Sequence, residues 1–119
     1  MINLTLLPAP SGHDGSQRRT IIEAAFTLSG AYTEGGESLV WTKIAPGIPT
    51  PSPVAPLWVE AYMSVPSANG PIYIPVLYNA ANSTLQVWVA QSGDELAAGA
   101  YSASYTGAQF LLRAEFPVG

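Results

Sequence analysis

Apolar side chains recur at every second position through most of this chain, the period of an extended strand with one buried face. Ile22, Ala24, Phe26 and Leu28 alternate with Glu23, Ala25 and Thr27; Phe110, Leu112, Ala114 and Phe116 alternate with Leu111, Arg113 and Glu115; Leu85, Val87 and Val89 alternate with Gln86, Trp88 and Ala90. From Leu57 to Val65 one face reads Leu57, Val59, Ala61, Met63, Val65 and the other Trp58, Glu60, Tyr62, Ser64. Both faces are largely apolar, as in a strand that is buried or faces a partner. The run Ile72, Ile74, Val76, Tyr78 contains Pro75, which has no N–H for a ladder and predicts a sheet edge or a bulge. Shorter strand candidates are Ile2 to Leu6, Ser38 to Ile44 and Ala100 to Tyr105. One stretch, Asp94 to Ala98, predicts a helix of a turn or two, acidic at its start and closed by Gly99.

Turn sequences separate these runs: Asn69-Gly70-Pro71, Asn79-Ala-Ala-Asn82, Ser92-Gly93-Asp94 and Thr106-Gly107. Their residues tolerate positive φ or cap a turn through a short polar side chain, and a spacing of roughly 10 to 15 residues suits antiparallel sheets. The predicted fold is all-β, an antiparallel β-sandwich of about eight strands. Residues 1–19 are expected to form an N-terminal arm and residues 20–119 the sandwich. Pro8 to Thr20 has no periodicity, and the loop 46–56 carries Pro46, Pro49, Pro51, Pro53 and Pro56, which favours a stiff, extended connection.

Between Ala31 and Trp41 two adjacent glycines, Gly35 and Gly36, stand between Glu34 and Glu37. A phosphate cradle needs a helix after its glycines, and here a strand candidate follows, with two carboxylates beside the turn to repel an anion. The expected role is a sharp turn between strands ending near Tyr32 and starting near Ser38, with the glutamates as its solvated flank.

Composition changes the picture. Charged residues make up 10% of the chain and hydrophobic residues 48%, whereas about 25% charged is usual. From Ile44 to Gly93 the only charge is Glu60. A solvated monomer usually scatters charges over such a span, so part of it is expected to be covered by other chains. The net charge of −4, with only Arg18, Arg19, Lys43 and Arg113 as cations, argues against nucleic-acid binding. No apolar run approaches the roughly 18 residues of a membrane span, and Met1-Ile-Asn-Leu-Thr5 lacks the basic start of a signal peptide, so a cytosolic origin and no membrane partner are expected. Without that signal the glycosylation patterns at Asn3 and Asn82 carry no meaning. Cysteine is absent, which leaves no disulfide, thiol nucleophile or zinc-thiolate site.

No catalytic set emerges, and no cofactor or metal is called for. Ser11, His13 and Asp14 are the ingredients of a nucleophilic triad, but four residues of a glycine-flanked arm lack a scaffold to hold the geometry. His13 is the only histidine, and the carboxylates do not fall at the spacing of a calcium loop. The pairs Glu34/Glu37 and Asp94/Glu95 lie in polar turns, where an acid of raised pKa is not expected. Trp41, Trp58 and Trp88 with six tyrosines suit either a sugar-stacking platform or core and inter-subunit contacts. Trp58 and Trp88 occupy the less apolar faces of their strands and are the candidates for a surface role.

Three segments carry a resemblance: Phe26-Thr-Leu-Ser-Gly-Ala-Tyr-Thr-Glu-Gly-Gly-Glu-Ser-Leu39, Val76-Leu-Tyr-Asn79 with Leu85-Gln-Val-Trp88, and Glu95-Leu-Ala-Ala-Gly-Ala-Tyr101. Together, over roughly Thr20 to Phe116, they resemble small virion proteins of tailed phages, of the capsid decoration (cement) type. The resemblance implies a jelly-roll-like sandwich that sits as an oligomer on the outside of the head, binds the major capsid protein and stabilises capsomer contacts without catalysis; the charge-poor span from Ile44 to Gly93 suggests a dimer or trimer. It implies location on the virion after synthesis in a host cytoplasm. The arm before Arg18 and the loop 46–56 depart from it. The alternative is a carbohydrate-binding sandwich using surface Trp and Tyr. The arm suggests docking: Ile2 to Leu7, with Leu4 and Leu6, suits pairing with a neighbour's sheet edge, and Arg18 and Arg19 either meet an acidic patch there or remain solvated. Trp58, Tyr62 and Trp88 complete the expected interface.

Overall fold

A computed structural model describes residues 2–7, 19–39 and 56–117. The connector 8–18, the strand candidate over residues 40–44 and the proline-rich loop through residue 55 lie outside the described residues, as do Arg18 and Trp41. Ten strands and one short helix are present among the described residues: β1 (Ile2–Leu6), β2 (Arg19–Leu28), β3 (Ala31–Tyr32), β4 (Glu37–Ser38), β5 (Trp58–Val65), β6 (Val76–Asn79), β7 (Thr84–Val89), β8 (Asp94–Glu95), β9 (Gly99–Ala100), α1 (Ala103–Thr106) and β10 (Gln109–Pro117). The protein is an all-β, antiparallel, sandwich-like structure.

One sheet has the order β1-β2-β10-β5 and a second the order β4-β7-β6, with β8 also on β7 and a short β3-β9 ladder beside them. The long strands form because period-2 patterning lets one side close a core. Ile22, Ala24, Phe26 and Leu28 of β2 and Phe110, Leu112, Ala114 and Phe116 of β10 are all buried, together with Ile74, Leu85 and Val87 from the second sheet. Phe26 and Phe110 are register partners whose rings stack at 4.9 Å. Ala24 lies opposite Leu112 and Ala114 opposite Ile22, so small residues face large ones and the layer keeps an even thickness.

The arm does not end where the sequence suggests. Ile2 to Leu6 pairs antiparallel with β2, Ile2 opposite Leu28 and Leu6 opposite Ala24. Ile2 and Leu4 are half-buried against the protein's own core. The expectation of a free arm at Leu4 and Leu6 is thereby corrected: β1 is an edge strand of the chain's own first sheet, because pairing with β2 satisfies its backbone and lays Ile2 and Leu4 on the core. β2 begins with Arg19, paired to Pro117.

Three local expectations also change. Asp94 to Ala98 is not helical; Asp94 and Glu95 pair with Val89 and Trp88, and the Leu96 N–H donates to the Val87 carbonyl at 2.8 Å. So short a helix has little stability of its own, and a ladder outcompetes it. In Ala100 to Tyr105 only Ala100 is in a strand, and the chain then makes α1, with Tyr105 and Thr106 donating to the Ser102 carbonyl. The run through Pro75 becomes a strand only at Val76, although the Trp88 N–H donates to the Pro75 carbonyl at 2.9 Å and extends the ladder by one bond. The connector before β6 is fastened to α1 by buried Ser67, whose hydroxyl donates to the Ala103 carbonyl at 2.9 Å and accepts from the Asn69 N–H at 3.1 Å.

Candidate functional site

The Gly35-Gly36 turn joins two different ladders. β3 pairs with β9, Tyr32 opposite Gly99, while β4 pairs with β7, Glu37 opposite Leu85. The chain therefore leaves one ladder and enters another within four residues, and both glycines adopt positive φ, 91° and 106°. A Cβ at Gly36 would lie 2.9 Å from the Leu85 carbonyl oxygen and from the Thr84 Cβ. Only glycine allows the turn to lie this close on β7.

Polar contacts from distant residues hold the turn there. The Gly35 N–H donates to Glu95 Oε2 at 2.7 Å, and the Thr84 hydroxyl donates to the Gly35 carbonyl at 2.9 Å. The same Glu95 oxygen accepts from the Tyr32 hydroxyl, which in turn accepts from the Val87 N–H at 3.2 Å. Tyr101 donates to Glu37 Oε1 at 3.0 Å, and its ring lies 6.1 Å from those of both Tyr32 and Tyr105. Burial, reinforced by the hydrogen bond to Glu95, raises the Tyr32 phenol above its ordinary pKa. Burial and the Glu37 carboxylate do the same for Tyr101, and burial alone for Tyr105. Neutral phenols donating to carboxylates make a clamp.

Glu34 is exposed, as a solvated flank should be, whereas Glu37 is half-buried on Tyr101, which corrects the expectation for that residue. Passing into another ladder carries position 37 toward Tyr101 instead of outward. Glu95, considered in the sequence only beside Asp94, is the residue that reasoning missed. The partners are 63 and 64 positions apart in the two tyrosine–carboxylate pairs, and no local spacing signals them.

The expected interface residues divide between faces. Trp58 and Tyr62 are 45% and 47% exposed on the outer side of the first sheet. Trp88 is half-buried on the second sheet, where its indole N–H is buried without an acceptor. It borders a shallow 420 Å³ groove with Leu77, Val89 and Ala90. Of the eight exposed large apolar side chains among the described residues, seven lie between Leu57 and Leu77. Among the described residues no group of three or more His, Cys, Asp or Glu is placed to hold a metal ion, and no helix is long and apolar enough to cross a membrane. No family model, curated protein or solved structure was found to match the chain.

Proposed function

We propose that this chain is a non-enzymatic assembly protein that docks on copies of itself and on a larger partner, in the manner of the phage decoration proteins that its sequence resembles. In that reading it sits as a dimer or trimer on the outside of a capsid, contacts the major capsid protein and stabilises capsomer contacts. The jelly-roll-like connectivity implied by the resemblance belongs to the same proposal. One observation carries it: between Leu57 and Leu77 seven large apolar side chains are exposed with Glu60 as the only charge. So much exposed apolar surface with so little charge, spread over both sheets, favours cover by other chains.

Sedimentation velocity of the full chain, with and without purified phage heads, tests the proposal. Self-association together with co-sedimentation on heads is the expected result; a monomer that ignores the heads sinks it. The alternative, a carbohydrate-binding module, cannot use Trp58 and Trp88 as one platform, because the two rings belong to different sheets. Trp58 with Tyr62 remains available to it, and a glycan array tests that pair.

A further inference from the structure

We propose that the outer face of the first sheet, along β5 and β10, recognises an extended segment of a partner carrying Lys or Arg at alternate positions. The inference rests on reading the chain as a docking protein and names the chemistry of one partner. Strand register puts Glu23, Arg113 and Glu60 in a single row across β2, β10 and β5. Alternation along β5 puts Trp58 and Tyr62 on either side of Glu60 on the same face. Two depressions flank the row: one of 310 Å³ lined by Glu23, Glu60, Tyr62 and Arg113, and one of 440 Å³ lined by Trp58, Arg113 and Glu115.

Charge selects the occupant. This face carries three carboxylates, Glu23, Glu60 and Glu115, against one guanidinium, and Arg113 is already engaged by Glu115 at 3.8 Å. The surrounding body has the same sign: among the described residues there are seven acidic side chains, at positions 23, 34, 37, 60, 94, 95 and 115, and two arginines, at 19 and 113. An acidic segment would be repelled, whereas a cationic side chain seated in the first depression meets Glu23 and Glu60 beside the exposed Tyr62, and one in the second lies beside exposed Trp58, an aromatic ring of the kind that attracts cations by its quadrupole. Spacing selects an extended chain. Trp58, Glu60 and Tyr62 are about 7 Å apart in sequence along the strand, the repeat of alternate side chains in a partner running beside it.

The test titrates full-length protein with three probes: a synthetic peptide of about nine residues alternating arginine and threonine, long enough to span Trp58 to Tyr62, its glutamate–threonine counterpart, and cellohexaose. Tryptophan fluorescence and backbone amide shifts report binding. The arginine peptide is expected to bind with affinity falling about tenfold between low salt and about 0.5 M salt. Glu60→Gln and Trp58→Ala should each weaken it about fivefold, whereas Leu77→Ala, on the other sheet, leaves it unchanged; circular dichroism confirms that the variants fold. Absence of binding, salt-insensitive binding, equal affinity for the glutamate peptide or for cellohexaose, or full affinity in Glu60→Gln overturns the proposal. Sedimentation separates the two readings: a chain that self-associates and binds heads yet ignores the peptide sinks this inference alone, and a monomer that binds the peptide but not heads sinks the assembly reading alone.

Discussion

The hydroxyl of Tyr32 accepts a hydrogen bond from the backbone N–H of Val87 at 3.2 Å. Val87 lies between the part of β7 that pairs with β4, at Thr84 and Leu85, and the part that pairs with β8, at Trp88 and Val89. The phenol thus supplies the acceptor that a continuous neighbouring strand would have supplied, and its own proton goes to Glu95. One side chain closes a gap in a ladder and, through the shared carboxylate, holds the Gly35 turn against it.

Tyr32→Phe should therefore destabilise the fold. The ring still fills its place, but the Val87 N–H loses its acceptor, which costs about 1 to 3 kcal/mol for a buried donor. Chemical denaturation measures the loss, and faster hydrogen exchange at the Val87 amide locates it.

The tyrosine cluster also makes the protein alkali-sensitive. In the unfolded chain the phenols of Tyr32 and Tyr101 ionise near pH 10.0, while burial and the adjacent carboxylates keep them protonated to higher pH in the fold. Above pH 10.0 the unfolded state has released protons that the folded state retains, so stability, fully present below that pH, declines as pH rises. Denaturant midpoints measured on either side of that pH should show the decline, and it should be shallower in Tyr32→Phe.

At the turn, Gly36→Val is expected to be the most damaging single change. A β-branched residue at positive φ is strained by about 1 to 3 kcal/mol, and its Cβ meets the β7 backbone as well. Glu34→Gln should be nearly neutral. Glu37→Gln falls between them, because it weakens the bond from Tyr101. Melting temperatures of the three variants give the ranking.

Deletion of Met1 to Gln17 removes β1, and with it the strand that covers one side of β2. Loss of the half-buried Ile2 and Leu4 contacts is expected to cost about 2 to 3 kcal/mol, seen as a lower unfolding midpoint before any effect on assembly. A truncated chain of unchanged stability would show β1 to be dispensable to the fold.

Replacing Trp58 and Tyr62 together by lysine should abolish binding of the arginine peptide without unfolding the chain, since both side chains are on the solvent side of β5. Backbone amide shifts on titration check this; undiminished binding would place the contact elsewhere.

By itself the order of residues determined the all-β class and the buried side of β2 and β10. The alternation Ile22, Ala24, Phe26, Leu28 and its counterpart Phe110 to Phe116 read as core and are core, because a strand's two faces are set by a period that local sequence displays. Glycine at positions 35 and 36 likewise announced a sharp turn. Which ladders that turn connects was decided only in three dimensions. So was the fate of Glu95: its side chain is fixed by Tyr32 and the Gly35 N–H, some 60 positions away, and nothing within a few residues of it distinguishes a clamp from a helix start. Tyr101 and Tyr105 show the same limit, since a separation of four suits one face of a strand and one turn of a helix alike; both are buried, and α1 rather than a strand places Tyr105 there. Ile2 and Leu4 looked free to reach a neighbour until β2 proved to offer them an edge in their own sheet. Local propensity is weak over so few residues, and pairing partners far along the chain carry the larger share of the energy.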